Sequence, residues 1–206
     1  MIETTELRWF CEDALAAAMT AWFTQDGSVG AVEERCDVYR MDGRVDIGVK
    51  RRARTTLELK IRRSFGALAP AGARPHGIVE VWQKWSPADE FVSGGFERCA
   101  EVNKSVIKRR FSISGDEIAF SDATGSPGSV FCDVETVAVD DGCTEAWSFA
   151  FAAQGPRRSR PAVITAAWRT VMSVAPPDGW LPDGVVSCGY PEWLERRVGA
   201  ALSSGQ

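Results

Sequence analysis

The run from Val45 to Arg63, VDIGVKRRARTTLELKIRR, changes character at every second residue. Val45, Ile47 and Val49 alternate with Asp46, Gly48 and Lys50, and Leu57, Leu59 and Ile61 alternate with Glu58, Lys60 and Arg62. A period of two sustained this long fits paired strands with one apolar and one charged face, and does not fit a helix. The Arg52–Thr56 connector suits a hairpin, although it lacks the Gly that a tight turn usually takes. On an open sheet the charged face would be solvated. Rolled into a barrel, the same side chains would line a polar cavity suited to an anion.

The rest of the composition narrows the field. A chain of 206 residues reads as one domain, long enough for a sizeable core. A net charge of -4 argues against a general nucleic-acid binder, because phosphate contacts need a basic surplus. The six cysteines form no CxxC pair, and His76 is the one histidine, which argues against a zinc site and a Cys–His nucleophile. The opening MIETTELRWF carries acids where a signal peptide needs basic residues, and no apolar run approaches a membrane span. A cytoplasmic, reduced protein with no membrane partner is expected.

Along the chain, Glu3–Phe10 reads as a strand with Thr4, Glu6 and Arg8 on one side and Thr5, Leu7 and Trp9 on the other. Asp13 is placed to cap a helix carrying Leu15, Met19, Trp22 and Phe23, stopped by Gln25-Asp26-Gly27. Strands follow at 35–41, 78–85, 105–113, 130–139 and 145–153, with Asp140-Asp141-Gly142 as a turn. Residues 67–77 and 115–128 read as loops, with a short helix at 87–91. In the strand from Glu145, Trp147, Phe149 and Phe151 oppose Ala146, Ser148 and Ala150, and which set faces inward is left open. Pro161 can start a helix with Ile164, Ala167, Trp168, Val171 and Met172 on its buried stripe. After a loop at 176–189, Pro191 can open a last amphipathic helix. The count of about eight strands, with helices after the first and near the end, predicts an α+β fold. Its sheet is antiparallel and closed or nearly closed, with barrel strands at about 3–153 and a helical segment at about 160–200.

The order strand, helix, hairpin, basic strands, acidic strands, helix resembles the CYTH superfamily, the triphosphate tunnel metalloenzymes. That family is similar in having an eight-stranded antiparallel barrel whose lumen is full of Arg, Lys and Glu. Its ExExK signature on the first strand matches Thr4-Thr5-Glu6-Leu7-Arg8, with Glu6 as the second carboxylate, Arg8 for the Lys, and Thr4 replacing the first carboxylate. The resemblance implies Glu6, Arg8 and Lys60 as catalytic residues. It implies Lys50, Arg52, Arg62, Lys84, Lys108 and Arg110 as the clamp for an anionic small molecule. Glu6, Glu135 and Glu145, with Asp133 nearby, would hold Mg²⁺ or Mn²⁺.

The chemistry expected of such a lumen follows from charge. Phosphoryl transfer from a triphosphate needs neutralisation of charge more than a strong nucleophile. Lys and Arg in a poorly screened cavity provide it, Arg through bidentate contacts and Lys as a point charge. Three readings follow: a metal-dependent triphosphate hydrolase, a binder of polyphosphate or organophosphate, and a repurposed barrel whose aromatic lumen takes a larger organic molecule.

Overall fold

The alternating runs pair into one antiparallel sheet that closes on itself. The strands are β1 (Ile2–Cys11), β2 (Glu33–Arg40), β3 (Ile47–Arg52), β4 (Thr56–Leu68), β5 (Gly77–Trp85), β6 (Cys99–Ser112), β7 (Phe131–Asp140) and β8 (Glu145–Gln154). They lie in the order β5-β4-β3-β2-β6-β7-β8-β1, and β1 pairs back to β5, which makes a closed eight-stranded barrel. A two-residue strand, β9 (Val186–Ser187), adds to β1 opposite Trp9 and Phe10. Among the described residues three α-helices accompany the barrel: α1 (Ala17–Phe23), α2 (Arg160–Val171) and α3 (Tyr190–Ser204). The computed structural model describes residues 1–24, 32–68, 77–86, 96–120, 129–142, 145–180 and 185–204.

Two apolar clusters divide the barrel's surroundings. The larger lies outside it. Leu7, Trp9 and Cys11 of β1, Phe111 of β6 and Trp147, Phe149 and Phe151 of β8 pack there against Met19, Trp22 and Phe23 of α1 and Val163, Ile164 and Ala167 of α2. The aromatic face of β8 therefore points outward. Its other face, Ala146, Ser148, Ala150 and Ala152, points into the lumen, where small side chains leave room for long ones opposite.

The second cluster plugs one end of the lumen. Phe10, Tyr39, Val106 and Val137 meet Trp193 and Leu194 of α3. Trp193 stacks on Phe10 with ring centroids 4.5 Å apart. Pro191, in the first turn of α3, fits this role because its missing N–H falls where a helix has no internal acceptor to lose. The helix expected to flank the barrel thus closes it.

Several boundaries differ from the sequence expectation. Asp13 does not cap α1: the cap position is Ala16, with no side-chain hydrogen bond, and Leu15 precedes the helix. Ala67, Leu68 and Gly77, assigned to a loop, belong to β4 and β5, and β9 lies inside the expected loop 176–189. The Gln25-Asp26-Gly27 stop, the helix at 87–91, residues 69–76 with His76, and 121–128 lie outside the described residues.

The β3–β4 turn solves its lack of glycine by strain. Ala53 and Arg54 both take positive φ, 49° and 62°, and Thr55 N–H donates to the Arg52 carbonyl at 3.0 Å. Two left-handed residues in succession match the right-handed twist of a hairpin, at a steric cost that Gly or Asn would avoid. The Asp37 carboxylate offsets part of it by accepting the Ala53 N–H at 3.2 Å.

Candidate functional site

Inward-facing residues on seven of the barrel strands carry charge, and the strand register groups them around three carboxylates. On β1, Thr4, Glu6 and Arg8 face inward, as the alternation requires. Glu6 accepts the Thr4 hydroxyl at 2.9 Å, Lys60 Nζ at 2.6 Å and Lys84 Nζ at 2.7 Å. Lys60 and Lys84 stand directly opposite each other across β4 and β5. Burial opposes the Glu6 charge, but Lys60 and Lys84 overcome it and hold the carboxyl well below its usual range.

The second carboxylate is Glu135. Arg8, Ala150, Glu135 and Lys108 occupy facing positions on β1, β8, β7 and β6. Because residue 150 is alanine, the Arg8 guanidinium can cross it to bond Glu135, while its other arm donates to the Ser148 hydroxyl at 2.7 Å. Lys108 Nζ lies 3.8 Å from the same carboxylate. Burial again works against ionisation, and Arg8 and Lys108 reverse it, so Glu135 stays charged.

The third is Asp37, whose side chain is 0% exposed. Lys50 approaches it at 2.9 Å, Lys104 at 3.0 Å and Arg35 at 3.3 Å. Lys104 also donates to the Tyr39 hydroxyl at 2.6 Å and sits 3.7 Å from the Tyr190 ring centroid. Burial pushes the Lys104 ammonium well down, with Lys50 adding to it and Asp37 opposing. These contacts place Lys104 deep in the lumen, beside the plug.

Toward the opposite end the side chains grow more exposed. Lys84 is 39% exposed and Arg52 36%. Arg52 reaches Glu33 at 3.1 Å and Glu58 at 3.6 Å, and Glu58 also meets Lys50 at 3.2 Å. This gradient identifies the mouth.

Arg62 and Arg110, also assigned to the clamp, share the inward faces of Lys60 and Lys108, and each has a close carboxylate partner of its own. Arg62 bonds Glu80 at 2.6 Å and Glu192 of α3 at 3.1 Å, which ties the plug to β5. Arg110 forms a bidentate pair with Asp133, 2.6 and 3.0 Å, with the Phe131 ring centroid 4.1 Å away. Lys50, Arg52, Lys60, Lys84, Lys108 and Arg8 gather around Glu6, Asp37, Glu135, Glu33 and Glu58. Glu145 is left out: that residue begins β8 on the outward-facing parity of Trp147 and is exposed. Asp37 and Lys104 had no role in the sequence reading. Extending the alternation of β6 four residues back from Lys108, through Val106, would have found Lys104.

The expected metal set does not fit this geometry. Glu145 cannot join Glu6 and Glu135, and each of those two is already matched by two cations. Among the described residues no group of three or more His, Cys, Asp or Glu side chains is placed to hold a metal ion. Glu6 is the shared acceptor of two ammonium groups. No helix among the described residues is long and apolar enough to cross a membrane. Compared with known proteins, the chain matches no family model and no curated protein.

Proposed function

We propose that the lumen binds a small polyanion, a polyphosphate or an organophosphate, entering at the mouth ringed by Arg52, Lys84 and Lys108. One observation carries this reading: three buried lumen carboxylates each gather more than one cation, Glu6 two lysines, Glu135 an arginine and a lysine, Asp37 two lysines and an arginine. Glu33 and Glu58 share Arg35, Lys50 and Arg52, and Glu80 and Asp133 take Arg62 and Arg110 singly. A buried surplus of one sign is costly unless something neutralises it. A ligand with several charged oxygens supplies that neutralisation, in a setting where charge is weakly screened.

This reading takes the chain as a diverged CYTH-like barrel. Closure of the eight strands and the inward direction of Thr4, Glu6 and Arg8 support it. It is a proposal for binding: the carboxylates that metal-assisted hydrolysis would call on do not converge, so the lumen's own cations neutralise the ligand. The outward direction of Trp147 and Phe149 removes the feature that favoured a larger organic molecule.

Calorimetry with tripolyphosphate, in chelator and at two salt concentrations, tests it. Binding is expected without added metal, weakening as salt screens the charges. Lys60→Ala or Lys108→Ala should cost on the order of 1.5–3 kcal/mol, the loss of one charged contact. Absence of both heat and thermal shift at millimolar ligand would overturn the reading.

A further inference from the structure

We propose that Lys60 is an amine nucleophile that captures small anionic carbonyl compounds as an imine, with Lys84 as its acid; the anionic part of this claim rests on the binding site proposed above. Lys60 and Lys84 face each other across β4 and β5 and converge on the single Glu6 carboxylate, at 2.6 and 2.7 Å. One carboxylate balances one ammonium. The second proton is the one most easily lost, because losing it leaves a matched pair and a neutral amine.

The surroundings select which lysine gives it up. Lys60 is the less exposed of the two, 23% against 39%, so its charged form is the more poorly hydrated. The charged groups acting on it are Glu6 and Arg8 from β1 and Lys84 from β5, while β3 places the uncharged Gly48 opposite. Burial is the main cause that lowers its ammonium to about 8, with Lys84 and Arg8 adding and Glu6 opposing. A lysine desolvated beside another cation is a recognised route to a nucleophilic amine.

The other lumen lysines lack this combination. Lys50 is shared by two carboxylates, Asp37 and Glu58. Lys104 is 2% exposed beneath Tyr190. Lys108 has as its co-cation Arg8, whose guanidinium does not give up a proton and so supplies no acid for the loss of water.

The step balances without any oxidant or reductant. The Lys60 nitrogen lone pair forms the C–N bond, and the carbonyl oxygen takes the proton that nitrogen releases. That oxygen takes a second proton from the Lys84 ammonium and leaves as water, giving a protonated imine on Lys60. Before the reaction Lys84 carries the positive charge beside Glu6. Afterwards the imine carries it and Lys84 is neutral, so the charge against the carboxylate is unchanged.

The test is pyridoxal 5′-phosphate, an anionic aldehyde, added to the full chain, trapped with borohydride and mapped by peptide mass spectrometry. Saturable modification of Lys60, slowed by tripolyphosphate and much slower with uncharged pyridoxal, is expected. Lys60→Arg, which keeps the charge, should lose the label. Lys84→Met should leave Lys60 fully matched by Glu6 and slow its labelling at pH 7.5 by about tenfold or more, moving the rate–pH midpoint upward. Label spread evenly over Lys50, Lys84 and Lys108, or a Lys60 rate unmoved by Lys84→Met, would overturn the proposal. Tripolyphosphate binding with no label on Lys60 would sink this inference and leave the anion site standing. Labelling of Lys60 at equal rates by both aldehydes, with no effect of tripolyphosphate, would support the amine and count against the anion site.

Discussion

Gly48 of β3 lies directly beneath Pro191 of α3: a Cβ at residue 48 would stand 2.9 Å from the proline Cγ. The contact is with a rigid ring, so the helix would have to move. Gly189 makes a similar approach on the other side, where a Cβ would meet Glu80 Oε2 and Trp82 Cζ2, each at 2.8 Å. The plug packs this close to β3 and β5 because both contact points lack a side chain.

Gly48→Ala should therefore loosen α3 without unfolding the barrel. The overpacking is expected to cost about 1–3 kcal/mol. A lower thermal midpoint, with changed fluorescence from the Trp193–Phe10 stack, is the expected result. A midpoint equal to wild type would show that the helix shifts freely and is not a fixed plug.

Asp37→Asn removes the carboxylate beneath three cations and weakens the acceptor that holds the strained Ala53 turn. Leaving buried charge unmatched should cost about 3–5 kcal/mol. If the lumen is an anion site, millimolar tripolyphosphate should restore more stability to this variant than to wild type, by mass action. Denaturant melts with and without the ligand compare the two.

Thr4→Glu places a second carboxylate beside Glu6, so that Lys60 and Lys84 each gain a partner. The surplus of positive charge at the mouth falls, and tripolyphosphate binding in chelator should weaken by about tenfold, the equivalent of about 1.4 kcal/mol. Calorimetry on the variant reads this directly. Tighter binding in chelator would contradict the role given to the lysine pair.

Stability should fall on the acid side. Glu6, Asp37 and Glu135 have folded values lowered from ordinary values of 4.5, 3.8 and 4.5 by their cationic partners, against burial. Below those ordinary values the unfolded chain binds more protons than the folded one, so stability declines as pH falls. It is fully present above about pH 5 and is lost progressively from pH 4 downward. Urea denaturation between pH 2.5 and 6 measures it. A flat profile would mean that the three carboxylates are not held charged in the fold.

The barrel was legible in the sequence because a period of two survives in most strands, and strand faces follow from the pleat alone. That placed Glu6, Arg8, Lys50, Lys60, Lys108 and Glu135 on the charged faces of their strands and pointed to the antiparallel class. Alternation cannot say which of two faces is the inside. On β8 the apolar, aromatic face turned outward because α1 and α2 cover it, and only their docking decided that. Glu145 went outward with it. Nor can sequence spacing show how charges from distant strands divide among shared partners. Lys60 and Lys84 meet on Glu6 because β1 closes the sheet against β5, and Asp37 gathers three cations because β2 lies between β3 and β6. The charged faces were local properties of the chain; their pairing, and the surplus on which the proposed anion site rests, came from barrel closure.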